Sequence, residues 1–316
     1  MSEMESEPAL LAIDLGGTRV KLSRFASDGS REETSGGDTA FQTSAEDLIR
    51  LLLSVSAQLL EGRQLRGVGI GVAGVLDLVA GRIVQSPNLP YMNEFPLREK
   101  LESEFGVPVT MMNDANAAAL GEYFAGAPGA SGSMFLLTLG TGVGGAFVQD
   151  GRIWEGAAGL AGEVGHMCIK VDGPDCHCGG KGCLEALCSG WALMRDAKKF
   201  ATEKKTSAIA GLDPITLEAL AALGESGDAD ALALWERAGM MLGIGMANLM
   251  NLLNPDCLVL AGGLAKAGGL LLEPARQSWE RHAFERAWTS TKVYFSAMGE
   301  WAGVRGAIQP FLKAAT

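Results

Sequence analysis

Two glycine-rich hairpins of the same design constrain the fold more than any other feature of this sequence. In each, an apolar run leads into a glycine-rich turn and then into a second strand-like run, within residues 10–25 and 136–148. Glycine has no Cβ, so the turn backbone can approach a ligand closely and point its N–H groups at phosphate oxygens. The candidate phosphate-binding residues of the two turns are Gly16, Gly17, Thr18, Gly140, Thr141 and Gly142.

A single turn of this kind is weak evidence for a ligand, because β-hairpins favour glycine for purely conformational reasons. The recurrence of the whole pattern strengthens the functional interpretation. It predicts two related halves that face one another across a cleft, each with a phosphate-binding turn.

A second constraint is the segment 162–185, GEVGHMCIKVDGPDCHCGGKGCLE, which we call the metal loop. Clustered thiolates with an imidazole upstream are ligands that tetrahedral zinc prefers, and such spacings usually indicate a metal. Unligated thiols are the simpler alternative, but buried free cysteines usually occur singly in apolar runs. Spacing alone leaves His177 and Cys168 open as alternative ligands. The predicted zinc ligands are His166, Cys176, Cys178 and Cys183.

Four protein ligands fill a tetrahedron and leave no position for an activated water, so we expect this zinc to be structural. The same loop carries two acidic residues, Glu163 and Glu185, beside the predicted ligands. Acids next to a metal-fixed imidazole are suited to binding hydroxyl groups. The chemistry is therefore expected to lie elsewhere in the chain.

Composition excludes several classes of function. The chain has 316 residues, 47% of them hydrophobic, which can form a sizeable core and suggests two domains. A formal net charge of −11 argues against non-specific binding of nucleic acid or of an anionic membrane. No apolar run reaches the roughly 20 residues needed to span a bilayer. The acidic N-terminal segment lacks the basic region of a secretory signal, so we expect a cytoplasmic protein.

The six cysteines could in principle form disulfides. Three of them fall in the proposed metal site, however, and a chain of this size does not need covalent cross-links for stability. A reducing compartment therefore fits the sequence better.

Periodicity and turn residues predict the remaining elements. Residues 30–39 are predicted as a polar turn region, and Thr43 and Glu46 as a capping box before a helix at 48–60. The other predicted strands are 67–74, 107–112, 257–260 and 291–295, and the other predicted helices are 187–203, 215–222, 230–253 and 302–312. The glycines of the helix at 230–253 indicate close packing against a neighbour.

Asp114 lies where the predicted strand 107–112 gives way to an alanine-rich helix. Open α/β sheets place their ligand crevice at the carboxyl ends of such strands. The alternative is that Asn113 or Asp114 serves only as a helix N-cap, which is a common use of these residue types. This segment alone favours the cap, and only the two turns and the metal loop favour a reactive carboxylate.

Together these motifs resemble the ROK family of bacterial sugar kinases and sugar-responsive repressors. The resemblance is carried by Glu163-x-Gly-His166, by the Cys-x-Cys-Gly-x-x-Gly-Cys-x-Glu run that ends at Glu185, by Asn-Asp-Ala at 113–115 and by Ala-Gly-x-x-Gly-Ala at 302–307. It extends over nearly the whole chain. It implies an α/β actin-like, ribonuclease-H-like ATPase fold with two lobes and a cleft between them. We expect a small lobe formed by residues 1–114 and 302–316, and a large lobe, with the zinc loop, formed by residues 115–301.

The resemblance also implies an activity, namely transfer of phosphate from ATP to a hexose. Glucose, phosphorylated at the 6-hydroxyl, is the first choice, and N-acetylhexosamines and fructose are alternatives. Asp114 would be the catalytic base, and Asp14 would help to hold Mg²⁺ through water. The glycines Gly262 and Gly263 would lie against the adenosine. The other sugar hydroxyls would be bound by Asn88, Asn113, Glu163, His166 and Glu185.

Other points stay open at this level. Some relatives accept polyphosphate in place of ATP, and relatives commonly form homodimers or homotetramers. Arg19, which follows the first turn, departs from the family pattern and could influence phosphate binding if it pointed inward. A sugar-sensing repressor is the rival class, but it would need a basic DNA-binding extension for which the few residues before residue 10 leave no space. A purely structural zinc protein leaves both glycine turns unexplained.

Overall fold

The computed structural model describes residues 7–86, 88–126 and 132–313. The chain divides into two compact units. Unit 1 comprises residues 1–126, 151–161 and 300–316, and unit 2 comprises residues 127–150 and 162–299. The small lobe expected from the sequence ends at residue 114, whereas unit 1 continues through residues 115–126 and also takes in 151–161.

The strands are β1 (Ala9–Leu15), β2 (Arg19–Phe25), β3 (Arg31–Asp38), β4 (Leu65–Val72), β5 (Val75–Asp77), β6 (Arg82–Gln85), β7 (Val109–Asn113), β8 (Ser133–Leu139), β9 (Val143–Gln149), β10 (Arg152–Ile153), β11 (Cys257–Ala261) and β12 (Lys292–Phe295). The α-helices are α1 (Ala45–Leu60), α2 (Leu97–Phe105), α3 (Asp114–Phe124), α4 (Leu184–Cys188), α5 (Gly190–Glu203), α6 (Leu217–Glu225), α7 (Ala229–Leu253), α8 (Gly269–His282), α9 (Glu285–Ser290), α10 (Ala302–Ala307) and α11 (Gln309–Lys313). Short 3₁₀ helices occupy Pro90–Met92, Val164–His166, Ala208–Gly211, Leu264–Ala267 and Gly299–Trp301.

The main sheet of unit 1 has the strand order β3-β2-β1-β4-β7. Strands β1 and β2 form an antiparallel hairpin, and β4 and β7 add to it in parallel with β1. Strand β1 is buried on both faces, as its continuous apolar sequence predicts. Leu11 and Ile13 pack in the core with helix α1, and Leu10 and Ala12 pack with helix α10.

The sheet of unit 2 repeats this plan. Those of its strands that belong to unit 2 run in the order β9-β8-β11-β12, with an antiparallel hairpin, β8–β9, followed by two parallel strands. Helices α7 and α8 share its core, in which Phe135 of β8 and Trp235 of α7 are fully buried. The hairpin and the two strands that follow it therefore occur twice in the chain. The duplicated plan and the mixture of helices and strands confirm the predicted α/β fold class.

Helix α3 belongs to unit 1 because it packs backbone to backbone on helix α10. A Cβ atom at Gly306 would lie 1.6 Å from the carbonyl oxygen of Ala117, and one at Gly121 would lie 2.0 Å from that of Ala302. Only glycine allows so close an approach. The C-terminal segment thus packs on unit 1, and it forms two short helices, α10 and α11, where the sequence predicts one.

Helix α7 shows the close packing that its glycines predict. A Cβ at Gly243 would lie 2.2 Å from the carbonyl oxygen of Ala275 in α8, and one at Gly239 would lie 2.4 Å from Pro274. Helices α8 and α9 themselves were not predicted from the sequence. The helical pattern of α8 is interrupted by an internal proline, Pro274.

Three local predictions need correction. Residues 30–39 do not form a turn region, because β3 is an edge strand whose side chains are mostly exposed and therefore polar. The cap of α1 is formed by Ser44, which accepts the N–H of Asp47 at 3.1 Å, one residue later than the predicted Thr43 and Glu46 pair. The predicted helix 187–203 is divided at Ser189, which caps α5.

Among the residues that the structure describes, no helix is both long enough and apolar enough to cross a membrane.

Candidate functional site

The first glycine turn, residues 14–18, lies against Asn88 within unit 1. A Cβ atom at Gly17 would fall 2.2 Å from the Cβ of Asn88, so glycine at this position makes room for the asparagine. Asn88 is exposed, and its neighbour residue 87 lies outside the described residues. The structure therefore brings a predicted sugar-binding residue next to a predicted phosphate-binding turn.

A residue that the sequence did not single out supports this turn. The buried hydroxyl of Thr39 donates to the carbonyl oxygen of Gly16 at 2.9 Å, and the N–H of Thr39 donates to the carbonyl oxygen of Thr18 at 2.9 Å. Thr39 directly follows the edge strand β3, which the sequence does not predict. Arg19 lies at the surface with its side chain 79% exposed and 3.8 Å from Asp38, so it does not point inward.

The second glycine turn, residues 140–142, is hydrogen-bonded to the start of α5. The N–H groups of Gly190 and Trp191, at the start of that helix, donate to the carbonyl oxygens of Gly140 and Thr141 at 2.9 and 3.2 Å. These bonds use two carbonyl oxygens of the turn, and the N–H of Gly140 donates to the carbonyl oxygen of Gly142 at 3.0 Å. The N–H groups of Thr141 and Gly142 are therefore the ones left to other partners.

The carboxylate of Glu185 contacts the second turn. Its Oε2 accepts the N–H of Val143 at 3.0 Å, and a Cβ atom at Gly142 would fall 2.4 Å from the same oxygen. Its Oε1 lies 3.8 Å from the Sγ of Cys176 in the metal loop. One carboxylate thus joins the second turn to the metal loop, an arrangement that the spacing of residues along the chain could not reveal.

Asp114 and Asn113 have separate roles at the start of α3. Asn113 is the N-cap, since its Oδ1 accepts the N–H groups of Ala115 and Asn116 at 2.9 and 3.3 Å. Asp114 is the first helical residue and also faces the N–H of Ala115, at 2.9 Å. The capping role considered for either residue therefore falls to Asn113, and the amide nitrogen of Asn113 lies 3.4 Å from the carbonyl oxygen of Gly74.

Asp14 and Asp114 lie at the same end of the unit 1 sheet, where the parallel strands β1, β4 and β7 reach their carboxyl ends. Asp14 is near the end of β1 and Asp114 directly follows β7, and the intervening strand β4 pairs with both. A Cβ at Gly71 of β4 would lie 3.1 Å from the Cβ of Ala117 and 3.7 Å from the Cα of Asp114, so this glycine lets the start of α3 pack closely on β4. Gly303 leaves room for Asp14, because a Cβ there would lie 2.8 Å from the Oδ2 of Asp14.

Desolvation raises the pKa of both carboxyl groups. It raises the pKa of Asp14 from 3.8 to about 6, with a further contribution from the negative charge of Asp114 and an opposing one from Lys21. Burial likewise raises the pKa of Asp114, although the N–H of Ala115 acts against it. Two desolvated acids at one end of the sheet form a site at which a cation is stabilised.

The metal loop brings together the four predicted ligands. The ligand atoms of His166, Cys176, Cys178 and Cys183 all lie within 4.8 Å of one another. Two sulfurs on a tetrahedral zinc, each bonded at about 2.3 Å, are about 3.8 Å apart. The Sγ atoms of Cys178 and Cys183 are 3.7 Å apart, and the Nδ1 of His166 is 3.8 Å from the Sγ of Cys176. The residues therefore fit a tetrahedral metal.

The two alternative ligands fall outside this group. The imidazole of His177 stacks on the indole of Trp191 with ring centroids 4.4 Å apart. Cys168 is exposed and pairs with Cys183 through the backbone. Burial raises the pKa of Cys183 to about 12 and also raises that of Cys176, so these thiols need a bound cation to exist as thiolates.

The second nitrogen of the His166 imidazole faces an acid. Its Nε2 lies 3.9 Å from the Oε2 of Glu163, and both side chains are partly exposed. The imidazole can thus use Nδ1 for a metal while Nε2 and the neighbouring carboxylate remain accessible.

The two glycines that follow β11, Gly262 and Gly263, have different surroundings. Gly262 has a positive φ of 93°, and a Cβ there would lie 2.3 Å from the carbonyl oxygen of Leu139. It is therefore required by the backbone alone. Gly263 faces open space, since no atom of the described residues lies within 4 Å of the position that a Cβ would occupy, and so it leaves room for a flat ligand.

Comparison with other proteins extends these observations. A family model described as "ROK family" matches residues 10–313. A glucokinase from Halalkalibacterium halodurans is 35% identical over 94% of this chain and 92% of its own length. A xylose repressor from Caldicellulosiruptor bescii is 32% identical over 95% of this chain and 77% of the repressor. The crystal structure of a ROK family glucokinase from Streptomyces griseus in complex with glucose and AMPPNP is 32% identical and has a TM-score of 0.80, over 95% of this chain and 97% of that chain.

The raised pKa of Asp14 predicts how one substitution changes stability with pH. Because the folded-state pKa of about 6 exceeds the ordinary 3.8, the folded protein loses stability as the pH rises through this interval. Asp14→Asn removes the charge and should raise the free energy of unfolding by about 1–3 kcal/mol at about pH 7.5, with little effect near pH 4. Urea unfolding at both pH values, without added Mg²⁺ or nucleotide, measures the difference.

Asp38→Asn is the matched control, because Asp38 is exposed and only 3.8 Å from the exposed Arg19. A surface pair of this kind contributes about 0–1 kcal/mol at most. A loss of stability in Asp14→Asn at neutral pH, or an equal gain at both pH values, would contradict the assignment of a desolvated charge to this residue.

Proposed function

The chain belongs to the ROK family, and from this premise we propose that it is an ATP-dependent sugar kinase that phosphorylates a hexose, with glucose, at its 6-hydroxyl, as the preferred acceptor. The observation that carries the proposal is the position of Glu185, which joins a phosphate-type turn to a four-ligand metal loop. The similarity to glucokinases supports the choice of sugar. A cytoplasmic location accords with the reduced thiols that the metal loop requires.

The two glycine turns are assigned to the phosphates of the nucleotide. The N–H groups of Gly16 and Gly140 are used by backbone carbonyls within the hairpins, so the phosphate donors are assigned to the amides of Gly17, Thr18, Thr141 and Gly142. Gly263 would leave room for the adenine ring. Phosphoryl transfer requires little covalent chemistry from a protein, so positioning of this kind is a large part of catalysis.

Asp114 is assigned as the base that accepts the proton of the attacking sugar hydroxyl. It is held at the first turn of α3, while the neighbouring Asn113 satisfies the helix cap. Burial raises its pKa above the usual range of aspartate, which makes it a stronger base once ionised.

Asp14 is assigned to the magnesium ion that accompanies ATP. A bound Mg²⁺ would supply charge neutralisation for the transferring phosphoryl group. The buried carboxylate of Asp14 suits this role, because a cation offsets the cost of keeping it ionised. Lys21, which pairs with Asp14 across the hairpin, acts in the same sense.

The metal loop is assigned to the sugar. Structural zinc would fix the orientation of the His166 imidazole through Nδ1, and Nε2 together with Glu163 would hydrogen-bond sugar hydroxyl groups. The Cys176 thiol, which approaches Oε1 of Glu185, would lose its proton on binding zinc. That oxygen is then available to accept a sugar hydroxyl, while Oε2 keeps its bond to Val143. Asn88 and the amide of Asn113 complete the proposed set.

A sugar-responsive regulator is the second candidate, favoured by the similarity to the xylose repressor. It would keep the metal loop and bind a sugar without consuming ATP. The pair Asp14 and Asp114 favours the kinase, because partly buried carboxylates with raised pKa values are typical of catalytic sites.

A coupled assay for ADP production with a panel of hexoses tests the proposed activity. Glucose should give the highest kcat/KM, above N-acetylmannosamine, N-acetylglucosamine and fructose by about tenfold or more, since a hydroxyl-binding site discriminates strongly against altered hydroxyl patterns. Polyphosphate is tested as an alternative donor by measuring the sugar phosphate formed, because transfer from polyphosphate yields no ADP. Binding of a sugar in calorimetry without any ATP consumption would favour the regulator and reject the kinase.

Asp114→Asn tests the assignment of the base. The variant should lower kcat by about 10²–10⁴-fold, because general-base catalysis contributes about that much, while KM for sugar and nucleotide changes little. Asp38→Asn, which alters an exposed aspartate in the same unit, should keep the wild-type rate. A near-normal kcat in Asp114→Asn would remove Asp114 from the mechanism.

A further inference from the structure

Cys168 and Cys183 stand opposite one another across a short antiparallel bridge in unit 2. The flanking hydrogen bonds run from the N–H of Ile169 to the carbonyl oxygen of Gly182, at 2.8 Å, and from the N–H of Leu184 to that of Met167, at 2.9 Å. These bonds join the residues on either side of the two cysteines, and they do not join Cys168 to Cys183 directly. The pair is therefore of the non-hydrogen-bonded type, in which the Cα atoms are about 4.5 Å apart and the side chains project on the same face.

This backbone arrangement is compatible with a disulfide. Disulfides form when the Cα atoms are about 4.4–6.8 Å apart and the Cβ atoms point toward each other, and a non-hydrogen-bonded pair lies at the short end of that interval. Both cysteines are free in the structure. The backbone spacing of such a pair therefore does not need to change greatly for the two sulfurs to bond.

The two members of the pair differ in exposure and in partners. Cys183 is buried and belongs to the four-ligand group, with its Sγ 3.7 Å from that of Cys178. Cys168 is exposed and lies outside that group. Cys183 thus has two candidate partners, namely a metal through the ligand group and Cys168 through the backbone bridge.

We propose that Cys168 and Cys183 form a redox-sensitive pair, in which oxidation by a hydroperoxide produces a disulfide and withdraws Cys183 from the metal. The proposal rests on the zinc site of the proposed function. It assigns Cys168 a role as the thiol that reacts first. Cys168 is exposed to a dissolved oxidant and lies outside the ligand group, whereas Cys183 is buried and within it.

The reaction has two balanced steps. In the first, the Cys168 thiol attacks the hydroperoxide, the O–O bond breaks, and the products are Cys168 sulfenic acid and an alcohol, or water when the oxidant is hydrogen peroxide. In the second, the Cys183 thiolate leaves the metal and attacks the sulfenic sulfur, the S–S bond forms, and the sulfenic hydroxyl takes a proton from solvent and leaves as water. Overall, the Cys168 thiol and the Cys183 thiolate lose two electrons, and one peroxide is reduced.

The consequence for the site follows from the position of Cys183. It directly precedes helix α4, which carries Glu185 beneath the second turn. Loss of Cys183 leaves three ligands and weakens zinc binding. A thiol reductant reverses the disulfide, so the loop can recover its metal.

The test uses the full-length, reduced, zinc-loaded protein and graded amounts of hydrogen peroxide. Peptide mapping without reduction identifies the disulfide, and a metallochromic dye measures released zinc. We expect a Cys168–Cys183 cross-link that appears in parallel with zinc release, and recovery of both thiols with dithiothreitol. A cross-link between Cys178 and Cys183, or cross-linking without zinc release, would overturn the proposal.

Two variants sharpen the experiment. Cys168→Ser keeps all four ligands and should hold one zinc per chain, but it should release the metal about tenfold more slowly under peroxide, because the exposed thiol is missing. Cys257→Ala, which removes a buried cysteine of β11 outside the metal loop, should release zinc at the wild-type rate. Equal rates for Cys168→Ser and wild type would reject the role of Cys168.

Failure of the zinc assignment is distinguishable from failure of this inference. Reduced protein that holds no zinc while its thiols are intact would contradict the metal site of the proposed function. The peptide map still decides which cysteine Cys183 joins, because the bridge between residues 168 and 183 is a property of the backbone.

Discussion

The hydrogen bond from the N–H of Val143 to the carboxylate of Glu185 is the interaction on which the proposed site depends. It places an acid from the metal loop directly beneath a glycine turn, where a Cβ at Gly142 would lie 2.4 Å from the carboxylate. The turn and the loop therefore cannot move independently without breaking a charge-assisted bond. Zinc, by ordering the loop, would fix the Glu185 carboxylate in this contact, while the N–H groups of Gly190 and Trp191 in α5 hold the turn separately.

The other feature that lowers stability is the pair of partly buried carboxylates of Asp14 and Asp114 in unit 1. A fold optimised for stability alone would not place Asp14 and Asp114 at one end of a sheet, where burial raises the pKa of both. Such arrangements are typical of functional sites, where stability is lower than it could be. A neighbouring glycine fits this view, because Gly303 leaves room for the carboxylate of Asp14.

Much of this arrangement could be predicted from the sequence, and the exceptions have physical reasons. The buried strands and the two hairpins have strong apolar patterns, and the four ligands are close in sequence. Strand β3 was not predicted because its side chains are mostly exposed and polar, so its composition resembles that of a loop. The capping role of Asn113 and the link through Glu185 depend on contacts between segments that are distant or ambiguous in the sequence. The separation of Cys168 from the ligand group likewise required the geometry of the loop.

The central claim is that a metal-ordered loop holds the sugar while the second turn keeps independent support from α5. Calorimetric titration of zinc-free protein, verified by elemental analysis, with glucose and separately with a non-hydrolysable ATP analogue tests it most directly. The account predicts that loss of zinc weakens glucose binding by about tenfold or more, as the loss of ordering around a metal site does. Binding of the nucleotide should change much less, because Gly190 and Trp191 still support the turn. Unchanged glucose affinity in the metal-free protein would contradict the account.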